Sequence, residues 1–239
     1  MSRSILISAV LALLQPRAWA DEPKAATPVD KEKIGSLINA LKEKERDVSA
    51  NAAAALGQMG EAAVPALREA LKNTDGRVQA LAASALRQIG RGAKAAVPEL
   101  IAIVKAGEGK ADSNRIQAID ALGRIGADAT DAVPELTKAL KEKDPKGVLR
   151  IHAITALGHV GSAAEAAVPE LIEALKERDK GGLLRIHAAE ALGQIGPAAK
   201  DAIPALKRIM EDKSQPGREA AHRAIDSIQA KGPSRPTGR

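Results

Sequence analysis

One phrase returns along most of this chain. Ala55-Leu56-Gly57-Gln58-Met59-Gly60 recurs as residues 85–90, 121–126, 156–161 and 191–196. Its central leucine stands at 56, 86, 122, 157 and 192, a spacing of 30 to 36 residues. A second phrase follows each copy: Val64-Pro65, Val97-Pro98, Val133-Pro134, Val168-Pro169 and Ile203-Pro204. Self-similarity at this period marks an array in which each repeat is one supersecondary unit that cannot bury its apolar face alone. A degenerate sixth copy, Ala224-Ile225-Asp226-Ser227-Ile228, closes the series, and the first link between phrases is three residues shorter than the others.

Each unit reads as two helices. The first opens at the Val-Pro step, where proline is harmless because first-turn amides have no intrahelical partner. Val168, Leu171, Ile172 and Leu175 then fall at helical spacing. A polar turn follows, such as residues 143–147 or 178–182. The second helix carries Ile151, Ile154, Leu157 and Val160 in one unit, and Ile186, Ala189, Leu192 and Ile195 in the next. Gly126, Gly161 and Gly196 stand where left-handed caps would end it. The other glycine column, Gly57, Gly123, Gly158 and Gly193, sits among alanines and lets neighbouring helices come close. An N-terminal pair, 30–45 and 47–59, begins the stack. The expectation is an all-α solenoid of about six helix pairs over residues 30–229.

The amino-acid usage agrees. The chain has no Phe, Tyr or Cys, and its single Trp is Trp19. Aromatics dominate ordinary cores, whereas Ala, Leu, Ile and Val suit helices packed at short range. Without cysteine there is no disulfide framework, no thiolate metal site and no Cys nucleophile.

The two ends read differently from the array. Arg3, the apolar run from Ile5 to Leu14 and Ala18-Trp19-Ala20 have the three-part layout of a secretory signal over residues 1–20, cleaved after Ala20. The run is too short for a bilayer, which needs about 20 apolar residues. No cysteine is there to carry a lipid, and no later stretch reads as a membrane span. The expected destination is the periplasm, the envelope or the extracellular space. Residues 21–29, with Pro23 and Pro28, read as a linker, and 230–239 as a disordered basic tail. Losing Arg3 and Arg17 takes the net charge from +6 to +4, of which Lys231, Arg235 and Arg239 supply three. The repeat body is therefore close to neutral.

Ala-Leu-Gly-x-Ile-Gly followed by Ala-Val-Pro-x-Leu resembles HEAT repeats of the phycobilisome-lyase-like kind, over about 200 of the 239 residues. The resemblance implies a right-handed α-α superhelix whose second helices line the concave surface. It implies little about activity, since proteins similar to this include chromophore lyases and their chaperone-like subunits, scaffolds, a DNA glycosylase group and a di-iron hydroxylase group.

With the central leucine as position zero, positions −4, −3, 0 and +3 face the core, and −5, −2 and +2 the opposite side. That side reads Asn51, Ala54, Gln58; Leu81, Ser84, Gln88; Gln117, Asp120, Arg124; His152, Thr155, His159; and His187, Glu190, Gln194. By the resemblance this is the groove, and Gln117 to Gln194 are the candidate partner-binding residues, with the polar variety concentrated in the fourth and fifth units. His152 and His187 share a column, but metal ligands must converge to about 2 Å. The hydroxylases use His-Glu dipeptides, and here Ala153, Val160, Ala188 and Arg223 follow the histidines. No metal or other cofactor is expected. Nucleic acid is disfavoured too: Arg124 stands against Asp120 and Glu190, and no aromatic is available to stack on bases. Arg115, Arg150, Arg185 and Arg218 form a column at −7 that would bond to Asp144, Asp179 and Asp212 of stacked turns and stiffen the array. No catalytic constellation stands out. The reading is an exported, monomeric scaffold for a protein partner, with a chromophore lyase or lyase subunit as the alternative and a metal-dependent oxidoreductase after that.

Overall fold

The computed structural model describes residues 28–107, 113–142, 144, 147–177, 181–211 and 216–230. The signal and tail expected at the ends, and Asp179 and Asp212, lie outside them. Among the described residues twelve α-helices make six pairs: α1 (Pro28–Ala40) with α2 (Arg46–Gln58), α3 (Val64–Leu71) with α4 (Gly76–Ile89), α5 (Val97–Ala106) with α6 (Ser113–Ile125), α7 (Val133–Lys141) with α8 (Val148–Val160), α9 (Val168–Lys176) with α10 (Leu183–Ile195), and α11 (Ile203–Glu211) with α12 (Arg218–Gln229). There is no strand among the described residues, and no helix among them is long and apolar enough to cross a membrane. Pro28 and Val29, which the sequence places in the linker, open α1; a proline suits a first turn.

Every second helix packs against its own partner and against the second helices on either side. One contiguous apolar core therefore runs the length of the array. The phase read from the sequence holds. At positions −4, −3 and 0 all five units are buried; at +3, Ile125, Val160 and Ile195 are buried while Met59 and Ile89 are partly so. The glycine column does what its spacing suggested. A Cβ on Gly158 would stand 2.9 Å from Ala191 Cα, and one on Gly123 the same distance from Ala156 Cα. Only a bare Cα lets these helices approach so closely.

Two features differ from expectation. The second helix does not lead straight into the next pair but into a 3-10 segment: Gly60–Ala63, Gly90–Ala96, Gly126–Ala132, Gly161–Ala167 and Gly196–Ala202. The first of these accounts for the missing three residues, with four residues where the others have seven. Gly161, at the corner, has φ 74° and ψ −143°, which is not the left-handed helical well but a region open almost only to glycine. The left-handed conformation instead occurs at helix starts, at Gly147, Gly182 and Gly217.

The arginine column is structural, as expected, and the partners it shows among the described residues are carbonyls and glutamates. Nε of Arg115, Arg150, Arg185 and Arg218 donates to the carbonyls of Val104, Leu140, Leu175 and Met210, each at 2.9 Å. Each arginine thus caps the C-terminus of the preceding helix, where carbonyls lack intrahelical donors. Arg115 also grips Glu142 at the end of α7 with both terminal nitrogens, and Arg150 reaches Glu177 at 2.9 Å. Asp144 does a different job: its Oδ2 accepts from the Leu149 amide at 2.7 Å, in the first turn of α8. On the other edge, Arg68 of α3 pairs two-pronged with Glu99 of α5, and that hydrogen bonding holds the Glu99 carboxyl below its ordinary pKa.

Candidate binding groove

The face opposite the core is built from the second helices, and their N-terminal halves enclose a hollow. This hollow, of about 680 Å³, runs across α2, α4 and α6. Arg46, Ser49 and Ala50 line it from α2; Gly76, Arg77, Ala80, Leu81 and Ser84 from α4; Ser113, Asn114 and Gln117 from α6. The reason for its position lies at −6. That column reads Ala50 and Ala80 in the first two units, then Ile116, Ile151 and Ile186. Beside the isoleucines, −5 carries His152 and His187, so in the fourth and fifth units longer side chains occupy the same face. There the first residues of the helices, Val148 and Leu183, remain exposed.

The nine candidate residues separate into three kinds. Gln117 lines the hollow, and its Oε1 is buried with no hydrogen-bond partner. Asp120 and His152 pair with each other across α6 and α8, with Nδ1 2.6 Å from Oδ1. This bond raises the His152 pKa above its ordinary 6.5, against the opposing effect of burial. Thr155 turns its hydroxyl back to the Ile151 carbonyl at 2.9 Å, and Glu190 lies between His187 at 3.7 Å and Arg223 at 3.6 Å. Arg124, His159 and Gln194, at +2, are exposed positions, but two of them lean over the preceding unit's glycine. A Cβ on Gly123 would meet His159 Nδ1 at 3.5 Å, and one on Gly158 would meet Gln194 Oε1 at 2.6 Å. His159 is therefore partly shut from water, and burial, helped by the Arg124 charge, lowers its pKa. The structure gathers Asp120, Arg124, His152 and His159 into one charge cluster and leaves Gln117 in the hollow with residues that the sequence reading did not single out. Arg46, Arg77, Ser113 and Asn114 were missed because they precede the −5 position. Among the described residues no group of three or more His, Cys, Asp or Glu side chains is placed to hold a metal ion.

A sequence profile described as HEAT repeats matches residues 34–111, 108–180 and 142–226. No curated protein matches the chain. Among solved structures it is similar to an engineered protein at 23% identity and a TM-score of 0.58, covering 82% of this chain and 96% of that one. It is also similar to the archaeal HEAT-like repeats protein from Thermococcus onnurineus, at 14% identity and a TM-score of 0.52, over 95% and 94% of the two chains. The complex of CpcE and CpcF of phycocyanin lyase from Nostoc is similar at 26% identity over 82% of each chain, with a TM-score of 0.46. The repeating phrase, the twelve paired helices and the profile covering nearly all of them converge: the chain belongs to the HEAT-repeat family.

Proposed function

We propose that this protein is an exported scaffold that binds another protein along the face formed by its second helices. The observation that carries the reading is the 680 Å³ hollow across α2, α4 and α6, lined mostly by side chains outside the apolar core. Recognition residues are commonly those that a rigid framework presents without needing them for packing. Stacked pairs held by the buried core and the arginine caps supply such a framework. The absence of a catalytic constellation in the sequence, and the dispersal of the histidines into pairs with Asp120 and Glu190, favour binding over chemistry. The test is site-specific photo-crosslinking in cells with the probe at Ser84, in the hollow, or at Lys138, exposed on α7. The expected result is one partner captured from Ser84 and none from Lys138. Capture from Lys138 alone would move the binding surface to the first helices and defeat the reading.

Export rests on Arg3, the Ile5 to Leu14 run and Ala18-Trp19-Ala20. Mass spectrometry of the native protein is expected to find Asp21 as the first residue. That form lacks Trp19, and so absorbs almost nothing at 280 nm. Intact Met1 in a cytoplasmic fraction would overturn this part alone.

A further inference from the structure

We infer that the hollow across α2, α4 and α6 takes an extended, acidic segment of a partner polypeptide; this rests on the scaffold reading and names the occupant. Charge is the first argument. The lining holds two guanidiniums, Arg46 and Arg77, and no carboxylate. Arg77 is committed, since it donates to the carbonyls of Lys42 and Glu43 and lies 3.6 Å from Asp75. Arg46 is not: its guanidinium has no partner among the described residues and it stands in the first turn of α2, where no side chain caps the helix. The uncapped first turn adds partial positive charge to that of Arg46; Asp47 stands in the same turn but does not line the hollow. A carboxylate is the group that answers both.

The second argument is Gln117. One polar end of its amide is buried without a partner, a state that costs free energy in the unbound protein. Oxygen and nitrogen of an amide can be exchanged by a half-turn, so the missing partner is an N–H or a C=O. A main chain carries both. Gln117 lines the hollow in which such a chain would lie. Size is the third argument. Three helices at about 8–10 Å spacing span roughly 20 Å, the reach of about six extended residues at ~3.3 Å each. A nucleic acid fits less well, because the lining has no aromatic for bases to stack on and only one uncommitted cation for phosphates.

The experiment is selection of random peptides displayed on phage against the full chain, followed by synthesis of an enriched peptide and fluorescence anisotropy. Enriched sequences are expected to be net acidic, and changing Asp and Glu to Asn and Gln in the synthetic peptide is expected to abolish binding. Arg46→Glu should weaken it by at least about tenfold, the scale of a central interface contact. Gln117→Leu should weaken it several-fold while leaving the melting temperature unchanged or raised, since the orphan amide is gone. Lys138→Glu, on α7, should have no effect. No enrichment, enrichment of basic or uncharged peptides, full affinity in Arg46→Glu, or tighter binding of an oligothymidylate than of any peptide would each overturn the inference. The crosslinking from Ser84 reads separately: a partner captured there with no acidic peptide selected leaves the scaffold reading standing and removes only the occupant.

Discussion

At the scale of single residues, glycines and histidines show how position decides role. Gly158 and Gly35 are both helical, yet a Cβ on Gly158 would stand 2.9 Å from Ala191 Cα whereas one on Gly35 meets nothing within 4 Å. Gly35→Ala is expected to stabilise by about 0.5–1 kcal/mol through helix propensity, and Gly158→Ala to destabilise by about 1–3 kcal/mol through overpacking. Urea denaturation of the two variants checks the opposed signs. His152 and His159 lie on one helix with pKa values displaced in opposite directions, raised by the Asp120 hydrogen bond and lowered by burial. The pair with Asp120 therefore contributes fully below the ordinary 6.5 and is lost as pH rises through the raised folded value of His152. His159 acts in the other sense: its contribution is full above 6.5 and is lost as pH falls through its lowered value. An NMR titration of the imidazoles should find His152 titrating above His159; the reverse order would show that the cluster is misassigned. The sequence could show that positions −5, −2 and +2 avoid the core, since that follows from helical phase. It could not show that Asp120 faces His152 or that Gln194 covers Gly158, because both depend on how one helix sits beside the next.

At the scale of elements, most of the fold was legible. Val-Pro steps open α3, α5, α7 and α9, and the Ala-Leu-Gly phrase closes the second helices. The 3-10 corners were not legible, because Ala-rich stretches such as residues 161–167 have no period that separates them from an α-helix. The arginine column was placed correctly as structural, but the carbonyls and glutamates it bonds to were not foreseen. A backbone carbonyl has no signature in the sequence, and Glu142 and Glu177 looked like any surface charge. Arg115 is 2% exposed and its partner Glu142 15%. Removing one member of so buried a pair strands the other, so Arg115→Ala should cost about 3–5 kcal/mol. Arg218, equivalent in sequence but exposed, should cost about 1 kcal/mol when changed to Ala. Thermal unfolding of both variants, with amide exchange at the ends of α5 and α11, tests the ranking; equal losses would mean that capping and not the buried charge pair sets the cost.

At the scale of the whole molecule, each pair touches only its neighbours, and stability is a chain of interfaces. Ala220, Ala221, Ala224, Ile225 and Ile228 of α12 are buried against that chain. Deleting residues 215–239 should bare the apolar face beneath and cause aggregation in light scattering, while deleting 231–239 should leave the melting temperature unchanged. Similar behaviour of both truncations would show that α12 is no terminal cap. The joints along the chain are not alike. Between α6, α8, α10 and α12 the glycine of one helix meets an alanine Cα of the next, whereas the three atoms nearest a Cβ on Gly57 of α2 all belong to Gln88, and α4 carries Arg87 where the others have glycine. The shortened corner, Gly60–Ala63, lies at this same joint. Seen as a spring, the array has coils of unlike make, the first seated on a glutamine side chain and those from α6 onward on bare backbone. A load on the two ends would therefore cross two kinds of seat, and the hollow lies over the first of them.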